Sequence, residues 1–139
     1  MIFIVNKIHH IAFLVRDLNK AIHLYKDVLN MTYIKRFYFD GRGAEVALFQ
    51  VSGVILELIC PKEKGFGPYN YLEKHGEGFF HIAFEVDDVI SEMGVLNEKG
   101  FLKEGAALHE GIDWELAWMD SNQTMGVPMQ IVTENKNND

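Results

Sequence analysis

The sequence predicts an α+β fold built from two tandem βαβββ modules. Two observations carry that prediction: a segment that recurs about halfway along the chain, and the same order of apolar runs and turns around each copy. His10-Ile11-Ala12-Phe13-Leu14-Val15-Arg16-Asp17-Leu18 returns 71 residues later as His81-Ile82-Ala83-Phe84-Glu85-Val86-Asp87-Asp88-Val89, with six of nine positions identical. Ala44 to Gln50 answers Trp114 to Asp120 at an offset of 70, and Gly53 to Ile59 answers Gly126 to Val132 at an offset of 73. Three matches in one order mark a duplication, and two copies are too few for a solenoid.

Each element follows from local chemistry. An apolar-rich β run opens each copy (Lys7 to Val15; Phe79 to Val86). An aspartate follows where an N-cap would satisfy the first helical N–H groups: Asp17 in the first copy, Asp87 or Asp88 in the second. Leu18, Ile22, Tyr25 and Leu29 then fall at helical spacing, with Lys20, Lys26 and Asp27 off the stripe. The second helix, about Val89 to Glu98, carries Val89, Met93 and Leu96 and stops at Gly100, a C′ glycine. Three strands complete each copy. In the first they are Tyr33 to Asp40, Glu45 to Gln50 and Val54 to Cys60, separated by the turns Gly41-Arg42-Gly43 and Ser52-Gly53. In the second they are a short strand near Phe101 to Lys103, Trp114 to Met119 and Val127 to Thr133, with a long loop from Gly105 to Asp113. The expected division is module 1 over about 7–60, a linker over 61–77, module 2 over about 78–133 and a polar tail over 134–139, all within one domain.

Composition bounds the function. With 139 residues, 48% apolar and 24% charged, the chain suits one globular domain with a real core and disfavours disorder. A net charge of −7 without a basic cluster argues against nucleic acid. The single cysteine, Cys60, forms no intrachain disulfide and fits a reducing compartment. The apolar run Met1 to Val5 is too short for a signal peptide, and no segment approaches the ~18 apolar residues of a membrane helix. The expectation is a cytoplasmic protein.

The polar residues fall in a pattern. Strand alternation puts His10 beside Ala12, away from Ile11, Phe13 and Val15, and His81 stands in the same relation to Ala83. Glu57 is isolated in Val54-Ile55-Leu56-Glu57-Leu58-Ile59, and its repeat counterpart Gln130 is isolated in Val127-Pro128-Met129-Gln130-Ile131-Val132. A carboxylate in so apolar a strand is costly without a partner. Two imidazoles, a carboxylate and an amide oxygen at repeat-equivalent positions, related by a pseudo-two-fold axis, form a candidate site for one divalent ion such as Zn, Ni, Co or Mn. Each of these residues alone is more often a hydrogen-bonded core group than a ligand; the symmetry of all four reverses those odds.

These segments resemble a known family. Lys7 to Leu18 is similar to the first strand and helix start of the vicinal oxygen chelate superfamily, which includes glyoxalase I, methylmalonyl-CoA epimerase, extradiol dioxygenases and antibiotic-resistance proteins. Gly76 to Asp88 resembles the epimerase-like branch more closely still. The resemblance implies a cupped, half-closed, barrel-like mixed sheet around the metal, with His10, Glu57, His81 and Gln130 as ligands. Gln130 departs from the glutamate usual there, which is both ligand and base. The epimerase order resembles His, Gln, His, Glu; this chain has the same set with the halves exchanged, so that Glu57 inherits the base role. The His-Pro that precedes the last strand in epimerases is replaced by Asp120-Ser121.

The leading expectation is metal-assisted proton transfer next to a carbonyl of a small thiol-linked substrate, glyoxalase-like or acyl-CoA epimerase-like. Glu57 is the first candidate base and Glu45, in the neighbouring strand, the second. Trp118, Phe49 and Leu48 are read as walls, His23 and His75 as polar surface, and His9 as facing away from His10. His109 lies in the loop 105–113, and Cys60 is read as packed rather than nucleophilic. The chief rival is a metal-free small-molecule or antibiotic-binding protein of the same fold. An extradiol dioxygenase and a thiol transferase fit the ligand set less well. A homodimer is expected, with no nucleic acid or membrane partner.

Overall fold

The computed structural model describes residues 3–135. Two compact units divide the chain: His10–Phe80, and Met1–His9 together with His81–Asp139. The first three residues of the opening strand β1 (Lys7–Leu14) thus group with the second half of the chain. The predicted polar tail begins inside the last strand, and its residues 136–139, like 1–2 of the N-terminal run, lie outside the described residues.

The unit His10–Phe80 contains the rest of β1, helix α1 (Leu18–Ile22), strands β2 (Thr32–Phe39), β3 (Ala44–Val51) and β4 (Val54–Pro61), and helix α2 (Gly67–His75). Its strands run in the order β2-β3-β4-β1, antiparallel except for the parallel pair β1/β4. Asp17 caps α1 by accepting from the Lys20 N–H at 3.0 Å, as the sequence predicts. The helix is shorter than its apolar stripe. After Ile22 it widens into an i→i+5 turn over His23–Val28, where the Leu29 N–H reaches the Leu24 carbonyl. Leu18 and Ala21 cover a core of Ala47, Phe49, Leu58 and Cys60, so Cys60 is packed. Gly43 is required at the start of β3. Its φ is +58°, and a Cβ there would meet the Phe66 ring at 2.6 Å.

The segment read as a linker folds into α2. Pro68 sits in its first turn and Gly76 ends it at φ +80°; the signals were present, but helical periodicity over nine residues is weak. His75 closes this helix with its ring 4.1 Å from that of Tyr71.

The other unit contains β5 (Gly78–Glu85) from His81 onward, helix α3 (Val89–Glu98), β6 (His109–Glu110), β7 (Trp114–Trp118) and β8 (Met129–Glu134). Its order is β5-β8-β7-β6, with β5 and β8 parallel. Asp88 is the N-cap of α3, accepting from the Ile90 N–H at 3.1 Å. Gly100 ends that helix at φ +83°. Its N–H reaches the Asn97 carbonyl and the Phe101 N–H reaches that of Leu96, a Schellman pair. Thr133 ties β8 to α3 by accepting from the Val89 N–H at 2.9 Å. Val86, Val89, Leu96, Ala117 and Ile131 form the core beneath α3. The strand expected near Phe101 to Lys103 is absent. Phe101 and Leu102 pack on this core instead, and the short strand is His109–Glu110, placing His109 in a strand pair with Leu116.

Candidate metal and proton-transfer site

In the unit His10–Phe80, strand register decides which side chains meet. Leu58 lies opposite Ala47 on the face covered by α1, so Glu57, opposite Leu48 and beside Ala12, lies on the other face. His10 shares that face by alternation from Ala12. Both side chains are buried, and their ligand atoms lie within 4.8 Å of each other. Burial pushes the Glu57 carboxyl up to about 7, and the positive charge of Arg42 partly opposes that rise. Arg42 sits in the glycine turn after β2, its guanidinium 5.7 Å from the centre of the Phe39 ring. Phe37 and Phe39 pair with Val46 and Ala44, on Glu57's face of the sheet. Arg42, Phe37 and Phe39 are not among the predicted site residues; alternation in Tyr33 to Asp40 carries the signal for the two aromatics.

Glu45 stands apart from this pair. It lies opposite Cys60, on the face away from Glu57. Arg36 donates to it at 2.8 Å and 3.2 Å, and Lys62 lies at 3.7 Å. The Arg36 hydrogen bond is the chief reason its carboxyl is held below the ordinary range, with its charge and that of Lys62 adding to the effect.

In the other unit, Ala83 pairs with Gln130, and Phe84 pairs with Ile131 of the α3 core. Gln130 and His81 therefore occupy the face away from α3, and both are buried. Trp118 pairs with Gln130 and sets its edge against the His81 ring, with centroids 5.0 Å apart, so it is both wall and brace. Gln130 Oε1 is buried without a hydrogen-bond donor among the described residues. An amide oxygen in that state is costly, and a cation would satisfy it. The donor set of two imidazoles, a carboxylate and an amide oxygen suits a borderline divalent ion.

The remaining histidines take other places. His23 Nδ1 lies 3.0 Å from Asp27 on the exposed helix surface. His9 is buried. It lies 2.9 Å from Glu134, with its ring against that of Trp114.

The fold and these two halves define a protein of the vicinal oxygen chelate type. The chain belongs to the Glyoxalase/Bleomycin resistance protein/Dioxygenase superfamily, whose sequence profile matches residues 9–122. It is similar to the uncharacterized protein YqjC of Bacillus subtilis, 26% identical over 127 residues that cover 91% of each chain. It is also similar to the ethylmalonyl-CoA/methylmalonyl-CoA epimerase of Cereibacter sphaeroides, 27% identical over 97 residues, 69% of this chain and 72% of that one. Its fold matches that of methylmalonyl-CoA epimerase from Mycobacterium tuberculosis with a TM-score of 0.86, at 24% identity, over 97% of this chain and 92% of that one. These relatives fit the epimerase-like branch. No helix among the described residues is long and apolar enough to cross a membrane.

Proposed function

We propose that this chain is a divalent-metal-dependent enzyme that moves a proton α to the carbonyl of a small thiol-linked substrate, with a 2-substituted acyl-CoA favoured over a glyoxalase-type hemithioacetal. The observation that carries the reading is the buried pair His10 and Glu57, matched at repeat-equivalent positions by His81 and the donor-less oxygen of Gln130. The epimerase relatives favour the acyl-CoA class.

His10, Glu57, His81 and Gln130 would hold one Zn, Ni, Co or Mn ion, which supplies Lewis-acid stabilisation of charge on vicinal substrate oxygens. The chain's own residues do the rest. Glu57 accepts the α-proton through a carboxylate oxygen while the C–H electron pair moves onto the carbonyl oxygen as an enolate. It then returns the proton to carbon. Glu57 lies on the buried face beside His10, whereas Glu45 is on the other face of the sheet and tied to Arg36. Glu57 is thus the base, and Glu45 is the second candidate.

The test is deuterium incorporation at C2 of methylmalonyl-CoA and related 2-substituted acyl-CoA thioesters in D2O, with hemithioacetals in parallel. Wild type reconstituted with metal is expected to exchange an acyl-CoA α-proton, and Glu57→Gln to lose about 10²- to 10⁴-fold. Ligand binding by a protein that takes up no metal and exchanges no proton would support the metal-free binding protein instead.

A further inference from the structure

A second group of metal-ligating side chains lies entirely within the unit that contains β5, α3 and β8. His9, Glu85 and Glu134 each offer a ligand atom, and these atoms lie within 4.8 Å of one another. None of the three belongs to the His10, Glu57, His81 and Gln130 set.

Three observations make this group more than a chance meeting of surface charges. His9 is 1% exposed, its ring fixed against Trp114 at 4.8 Å between centroids, so the imidazole is held rigidly toward the two carboxylates. Both carboxylates act on that imidazole. Glu134 lies 2.9 Å from it, and the charge of the half-buried Glu85 reaches it as well, opposed by that of Lys7. One imidazole and two carboxylates gathered this closely are donors that a divalent cation takes. The duplication supplies the third observation. The repeat counterparts of His9, Glu85 and Glu134 are Phe80, Leu14 and Pro61, so the unit His10–Phe80 has an apolar residue at all three positions. Leu14 is wholly buried there. A sheet that can be completed with phenylalanine, leucine and proline instead carries one imidazole and two carboxylates.

We propose that His9, Glu85 and Glu134 form a second divalent-cation site, separate from the candidate proton-transfer centre. His9 Nε2 now donates to Glu134 Oε1 at 2.9 Å. With the ion bound it would ligate through that nitrogen, with the proton moved to Nδ1 and the two carboxylates as the other protein ligands. Glu134, 57% exposed, leaves the remaining positions to water. One nitrogen and two carboxylate donors form a harder set than the other centre and suit Mn2+ or Zn2+.

The experiment is Mn2+ titration of the full chain, followed by the loss of free-ion EPR signal. Wild type, His10→Ala/His81→Ala and Glu85→Gln/Glu134→Gln are compared. His9→Ala is avoided because it empties a buried position; Glu85→Gln and Glu134→Gln remove charge at nearly constant shape, and circular dichroism checks their fold. The expected result is one Mn2+ bound by the His10/His81 variant and lost, with at least a tenfold weaker Kd, when Glu85→Gln/Glu134→Gln is added. If Mn2+ binding in that background is absent, or is indifferent to the two glutamines, the second site is wrong whatever the fate of the proposed function. Failure of α-proton exchange with this binding intact would count against the proposed function alone.

Discussion

Glu57 concentrates the energetics of the candidate centre in one residue. In the metal-free chain burial raises its pKa from 4.5 to about 7. The stability associated with the neutral carboxyl is therefore fully present below the ordinary value and lost as pH rises through about 7. Chelator-treated wild type should thus lose more thermal stability between pH 6 and pH 8 than Glu57→Gln does, measured by melts of both proteins. Equal slopes would remove Glu57 as the buried acid. Glu45 has the opposite environment, tied to Arg36 on the other face of the sheet, and Glu45→Gln should retain α-proton exchange within about tenfold of wild type, against the loss of ~10²-fold or more in Glu57→Gln. Equal losses in the two variants would return Glu45 to the base role. The isolation of Glu57 and Gln130 in apolar strands was legible in the sequence because alternation makes one polar residue conspicuous. The face of Glu45 was not. Ala47 and Phe49 share that face, and their burial beneath α1 becomes evident only with the packing.

Caps and turns set the lengths of the elements that carry these residues. Asp17 and Asp88 were readable as N-caps because short acceptors stand directly before apolar helical stripes; the choice between Asp87 and Asp88 required the hydrogen bonds. Asp88→Ala should cost about 1 kcal/mol of stability. Gly100→Ala should cost about 1–2 kcal/mol. Its added Cβ meets nothing within 4 Å, so the cost is the positive φ alone. Denaturant unfolding measures both, and a neutral Gly100→Ala would mean that the Schellman turn relaxes. The sequence failed where apolar runs were too short to show a period. The helix Gly67–His75 falls within the predicted linker, and where a strand is predicted near Phe101 to Lys103, Phe101 and Leu102 serve the core below α3. The i→i+5 turn after α1 was hidden as well, because Tyr25 and Leu29 continue the helical stripe that the backbone abandons.

At the scale of the whole molecule, the duplication accounts for most of what could be read in advance. The two βαβββ copies carry the paired positions His10/His81 and Glu57/Gln130, while strand order within each unit comes from the pairing alone. The grouping of Lys7 to His9 with the second copy was not readable in advance, because a strand shared between units has no sequence mark. Leu24, Val28, Leu29 and Ile34 are exposed large apolar residues in the first unit, and they are expected to meet a second copy of the chain. Light scattering at micromolar concentration should give twice the chain mass; a monomer would contradict the dimer. Elemental analysis of metal per chain, in wild type and in His10→Ala/His81→Ala after identical reconstitution with Zn, Ni, Co and Mn, shows whether the paired histidines hold a metal. One fewer divalent ion per chain is expected in the double variant. Equal metal content in the two proteins, or a wild type that stays empty, would contradict it.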